Sequence, residues 1–175
     1  TRRFNVIWYE NPAEFMRAHS LGAAAMAVTV GQNGTATMHL GPKVGPSNFD
    51  VTFGHELVHV ILIQKYSGAI PKWFEEGLAN HYANHEKVDY KWLAKQPFPE
   101  DVHSLAHPMK GSVDGILYRY RASQALAEML DKKCGLENLI RLSVKRKMEN
   151  YVETFCEIKD LNAAFRKWVT EKSRQ

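Results

Sequence analysis

The run His55-Glu56-Leu57-Val58-His59 constrains this chain more than any other stretch. It lies in an apolar segment, residues 49 to about 66, which reads as a helix. Asn48 or Asp50 is its candidate cap, and Gly68 its stop. On a helix, residues four apart share a face, so His55 and His59 project side by side. Two neutral imidazoles in that relation can bind one Zn2+ ion. Glu56, one step round the same rim, can accept the proton of a water held there. Apart from this His/Glu edge the helix is apolar on nearly every side, so it reads as the central buried helix of the fold.

Catalytic zinc usually has three protein ligands and one open position. One branch of such proteins takes the third ligand from a His six residues past the second motif His, after a turning Gly. Here those positions hold Lys65 and Leu62, so that branch is closed. The other branch takes a Glu from a following helix. Pro71-Lys72-Trp73-Phe74-Glu75-Glu76-Gly77-Leu78-Ala79 offers one, on a helix reading to about residue 86 with Pro71 suited to its start. The gap after His59 leaves room for one turn and a return helix packed alongside the first. Asn80, one turn beyond Glu76, can offer its side-chain oxygen to the second ring N–H of His55 or His59.

Around these two helices the pattern divides. Residues 4–9 read as a first strand, and residues 12–20 as a short helix with Phe15, Met16 and Leu21 inward. Residues 25–30 and 35–40 flank Asn33-Gly34, a hairpin signal. Residues 96–115 carry three prolines and two glycines and read as a long loop, a candidate lid. Helices are expected over residues 119–133, 136–147, 151–158 and 161–172. The expectation is an α+β fold in one domain over residues 1–175. A small β-rich N-terminal lobe spans about 1–68 with the metal helix at the junction, and an all-helical lobe spans about 69–175.

Composition excludes little. The chain of 175 residues is 45% hydrophobic and 24% charged, ordinary for a soluble globule, and no apolar run is long enough to span a membrane. No secretory leader is visible at Thr1-Arg2-Arg3-Phe4, and a mature chain would read the same. A net charge of +4 does not argue for nucleic acid, and Arg141 with Lys145-Arg146-Lys147 reads as a solvated basic face. Cys134 and Cys156 lack C-x-x-C spacing, which argues against a cysteine zinc site. They read either as a disulfide in an oxidising compartment or as two buried thiols.

Taken together, His55-Glu56-x-x-His59 followed by Trp73-Phe74-x-Glu76-Gly77-Leu78-Ala79 resembles the gluzincin branch of zinc metallopeptidases, in particular the small bacterial peptidase-MA-like domains. The resemblance is strong over residues 49–82, looser over 118–168, and only architectural before residue 40. It implies a zincin-like fold and one Zn2+ per chain on His55, His59 and Glu76. In that pattern the Glu directly before Gly is the ligand, which selects Glu76 and leaves Glu75 as a solvated surface charge. It implies Glu56 as general base and a tyrosine from the helical lobe on the oxyanion, pointing to Tyr120, with Tyr118 as the alternative. It also implies that an edge strand before the metal helix pairs with an extended substrate. Residues 35–40 are the expected strand, so a proline at Thr37 or Met38 would weaken substrate binding.

The function read from this is hydrolysis of peptide bonds in a peptide or protein substrate. No motif announces an aminopeptidase, so the reading is an endopeptidase, in a bacterial periplasmic, cell-envelope or secreted setting. Arg119 and Arg121 are candidates to hold a substrate carboxylate. His81, His85, His103 and His107 read as surface histidines. A silent binding module on the same fold is the first alternative, disfavoured by Glu56, which zinc binding alone does not need. A nucleic-acid-associated zinc protease is the second, disfavoured by the modest charge and the glutamate third ligand.

Overall fold

The computed structural model describes residues 2–19, 25–83, 86–105 and 112–175. Strand β1 (Asn5–Trp8) is followed by helix α1 (Pro12–Arg17) and strands β2 (Ala27–Gln32) and β3 (Thr35–Leu40). Helices α2 (Phe49–Ile61), α3 (Lys72–Tyr82), α4 (Tyr90–Leu93), α5 (Val113–Cys134), α6 (Leu136–Leu142), α7 (Val152–Phe155) and α8 (Leu161–Lys172) complete the chain. The fold is mixed α+β, a three-stranded sheet with a mostly helical remainder. Among the described residues no helix is long and apolar enough to cross a membrane.

The hairpin forms as Asn33-Gly34 predicts. Both residues take positive φ, 51° and 74°, the twist a two-residue turn needs between right-twisted strands. The strand order is β1-β3-β2, with β1 parallel and β2 antiparallel to β3. This corrects the expected substrate edge. Residues 35–40 form the central strand, hydrogen-bonded on both sides, so a proline at Thr37 or Met38 would break the sheet itself. The strand beside α2 with an edge to offer is β2.

Alternation along β3 buries Ala36, Met38 and Leu40 against α2, in a cluster with Val44, Val60 and Phe53. A larger cluster fills the helical part, with Phe74, Leu78, Leu126, Met129, Leu130 and Phe165 fully buried. Helix α2 lies between the two, giving Val60 to the first and Val58 to the second, which Leu62 directly after it also joins. It is not the central buried helix, because one side faces a cavity and only Glu56 and Val60 in it are buried. That place belongs to α3, where every residue from Trp73 to Asn80 is buried.

The tight seam between α3 and α5 explains this. The Ser123 hydroxyl accepts from the Gly77 N–H at 3.0 Å and donates to the Trp73 carbonyl at 2.9 Å, so it is stitched into the α3 ladder. Only a residue without Cβ allows such an approach.

Several boundaries differ from expectation. The regular part of α2 ends at Ile61, and a π-helical turn over Leu62–Tyr66 carries the chain to Ser67, which is left-handed at φ 39°. The Asn48 side chain caps no helix N–H. It accepts from the Gly45 N–H and donates to the Lys43 carbonyl, bracing the loop instead. Met16 is exposed on α1, and Leu21 lies outside the described residues. Helix α5 starts at Val113, capped by Ser112, so Tyr118 and Tyr120 stand in its second turn and not at its start. Cys134 and Cys156 form a disulfide that ties the end of α5 to the residue after α7.

Candidate metal centre

Helical spacing brings the His55 and His59 rings to 5.0 Å between centroids, with their Nε2 atoms 3.2 Å apart. Glu76 enters from α3. Its Oε2 lies 3.3 Å from His55 Nε2, and its Oε1 3.4 Å from His59 Nε2. These three residues form a group that could hold a metal ion. Gly77, the next residue and about 100° further round α3, is locked against Ser123 of α5.

Asn80 takes His55 of its two expected partners, its Oδ1 lying 2.9 Å from His55 Nδ1. With the amide oxygen as acceptor, Nδ1 carries a proton, and Nε2 is the atom turned toward Glu76. Burial pulls the His55 imidazole down, but the hydrogen bond and charge of Glu76, with Glu56 and Asn80, outweigh it and hold the group above its ordinary value.

Glu56 is buried on the rim of the same helix. The Thr29 hydroxyl, on β2, lies 2.7 Å from its Oε2 and 3.2 Å from its main-chain carbonyl. Burial pushes the Glu56 carboxyl above the usual range, Glu76 adding to this while His55 and Thr29 oppose it. Thr29 was not foreseen from sequence. Its signal is only that the first strand of the hairpin before α2 carries a hydroxyl among apolar neighbours.

The cavity at this site has a volume of about 470 Å3 and is closed by β2 on one flank and α5 on another. Tyr120 lines it, and burial, then the charges of Glu76 and Glu56, push its phenol well up. Tyr118 packs instead against the helical core, where burial raises it to about 12. The two tyrosines left open by sequence are thus separated by location. Arg121 lines the cavity, but its guanidinium is engaged by Glu86 at 2.6 Å and by the Lys87 carbonyl at 2.9 Å. Arg119 is not among the lining residues.

Glu75 departs from its expected role as a solvated surface charge. It is only 8% exposed and lines the cavity beside Glu76, paired with Lys72 at 2.7 Å. His81 lies 3.7 Å from Asp131, and His103 bonds Asp101 and meets the edge of Trp73, so neither joins the centre. His85 and His107 lie outside the described residues. Set against family models, curated proteins and solved structures, the chain matches none.

Proposed function

We propose that this protein is a zinc-dependent peptidase of the gluzincin type on a zincin-like fold. One Zn2+ is held by His55, His59 and Glu76. The observation that carries the reading is the convergence of the donor atoms: the two histidine Nε2 atoms lie 3.2 Å apart, with Glu76 Oε2 3.3 Å from that of His55 and Glu76 Oε1 3.4 Å from that of His59. A tetrahedral ion with bonds of about 2.0–2.1 Å separates its ligand atoms by about 3.3–3.4 Å, and two imidazoles with one carboxylate are a familiar catalytic donor set. When bound, zinc acidifies water and polarises a carbonyl.

The chain's own residues divide the remaining work. Glu56, not a ligand and held by Thr29, takes the proton of the attacking water and passes it to the leaving amine. The Tyr120 phenol, kept protonated by burial and by two neighbouring carboxylates, donates to the oxyanion that forms. An extended peptide runs along the edge of β2, where Ala25 to Thr29 line the cavity. The disulfide supports an envelope or secreted setting, since such bonds persist in oxidising compartments.

The test is metal content by mass spectrometry, followed by cleavage of a peptide library with and without chelator. One zinc per chain with chelator-sensitive cleavage is expected. Absence of zinc in protein prepared without chelator would overturn the reading, and zinc without cleavage would favour a binding module. Two further outcomes follow. Asn80→Ala is expected to weaken zinc about 10–100-fold in competition with a chromophoric chelator, by releasing the ring of His55; unchanged affinity would remove Asn80 from the centre. Tyr120→Phe is expected to lower kcat about a hundredfold with KM little changed, whereas an equal loss in Tyr118→Phe would contradict the assignment.

A further inference from the structure

Glu75 is the one charged residue of the cleft that the mechanism above does not use and that is buried there with an exchangeable partner. Its side chain is 11% exposed, while that of Lys72, with which it pairs, is 69% exposed. Among the described residues this is the only ion pair of Glu75. A buried carboxylate is costly to desolvate unless a cation stays on it. Lys72 is a poor permanent choice for that duty. It holds the first position of α3, where the positive end of the helix dipole opposes a cation, and its ammonium stays largely in water. A pair three residues apart on a helix, with its ammonium largely in water, gains only modestly from the contact.

The other carboxylate at the rim differs. Glu86 has a mostly exposed side chain and is gripped by Arg121, whose second nitrogen also bonds the Lys87 carbonyl, while Gln124 holds the Glu86 carbonyl. That cluster is a fixed brace. The walls of the cavity add apolar surface from Met26, Val28, Leu62, Ile63 and Ile116. An aliphatic stem ending in a cation fits both features at once, the methylenes on apolar wall and the head on a buried carboxylate.

We propose that Glu75 sets the substrate preference of this cleft by receiving the cationic head of a lysine or arginine side chain of the bound peptide. Lys72 is the placeholder that the substrate displaces. The inference rests on the cleft being the peptide site proposed above. It concerns binding and so is read without turnover.

The experiment uses zinc-loaded Glu56→Gln protein and fluorescent peptides that differ at one position, lysine, arginine, norleucine or glutamate. Tighter binding of the lysine and arginine peptides by about tenfold over norleucine is expected, weakening with salt. Adding Glu75→Gln, which keeps the shape, abolishes the preference. Adding Lys72→Met retains or increases it, an effect that loss of a merely structural pair would not give. Equal binding of the basic and norleucine peptides, or a preference that survives Glu75→Gln in protein of unchanged melting temperature, overturns the inference. Wild-type cleavage separates the two readings. A preference for basic peptides without cleavage of them defeats the peptidase and leaves Glu75 its role, while cleavage indifferent to charge defeats Glu75 and leaves the peptidase.

Discussion

Replacing Glu56 by Gln is expected to lower kcat about a thousandfold while zinc stays at one per chain and KM changes little. The argument is geometric first. Glu56 sits on the same helix as His55 and His59 but outside the group proposed to hold the metal, so the substitution removes none of its donors. Gln has the same shape and can still accept the hydrogen bond that Thr29 gives to Oε2, so the side chain stays where it is. What Gln cannot do is take a proton. Loss confined to the chemical step therefore isolates proton transfer from metal binding and from substrate binding. Metal analysis, a thermal melt and steady-state kinetics on one preparation decide it. Turnover within about tenfold of wild type would deny Glu56 its part as general base, and loss of zinc would place it among the ligands.

The parts of this site that sequence made legible are those set by one helix. The interval of four between His55 and His59 fixes a shared face wherever the helix lies, and Glu56 follows with it. Glu76 needed only a second helix antiparallel to the first. What stayed hidden depended on contacts between distant elements. The hairpin signal paired β2 with β3 but could not say which side β1 would take. Once β1 settled against β3, the free edge passed to β2. Thr29 became visible only with that register.

Glu75 was misplaced for a related reason. A step of about 100° from a buried residue such as Glu76 normally reaches solvent, if the helix has one buried stripe. Helix α3 is instead buried at every position from Trp73 to Asn80, although its composition is less apolar than that of α2. Apolarity alone put α2 at the centre, because sequence does not show that one side of α2 lines a cavity. The start of α5 was missed because Gly111 and Gly115 extended the loop reading, although Val113, Ile116, Leu117 and Tyr120 recur at helical spacing. The pairing of Cys134 with Cys156 was likewise open, since spacing alone does not bring two thiols together.

Gly77→Ala is expected to destabilise the protein by about 3 kcal/mol or more and to lower its melting temperature by about 10 °C. A Cβ built on Gly77 would lie 2.1 Å from the Ser123 carbonyl oxygen and 2.6 Å from its carbon. Both are main-chain atoms of α5, so no side-chain rotation relieves the clash and the two helices must part. Separation breaks the double hydrogen bond of Ser123 and loosens Phe74, Leu78, Ala122 and Leu126, which are all fully buried. The better helix propensity of Ala returns only about 1 kcal/mol. Because Glu76 is the adjacent residue, zinc affinity should fall together with stability.

Gly54→Ala is the control. It too lies within a helix, but its added Cβ meets Ala83 at 3.7 Å, an ordinary contact. There the propensity gain acts alone, and the variant is expected to melt at or slightly above wild type. Calorimetry of the two variants separates close packing from a general effect of replacing helical glycine. A Gly77→Ala protein that melts within about 2 °C of wild type would mean that α3 and α5 do not meet at main-chain distance. The seam that holds α3 in place would then have to be sought elsewhere.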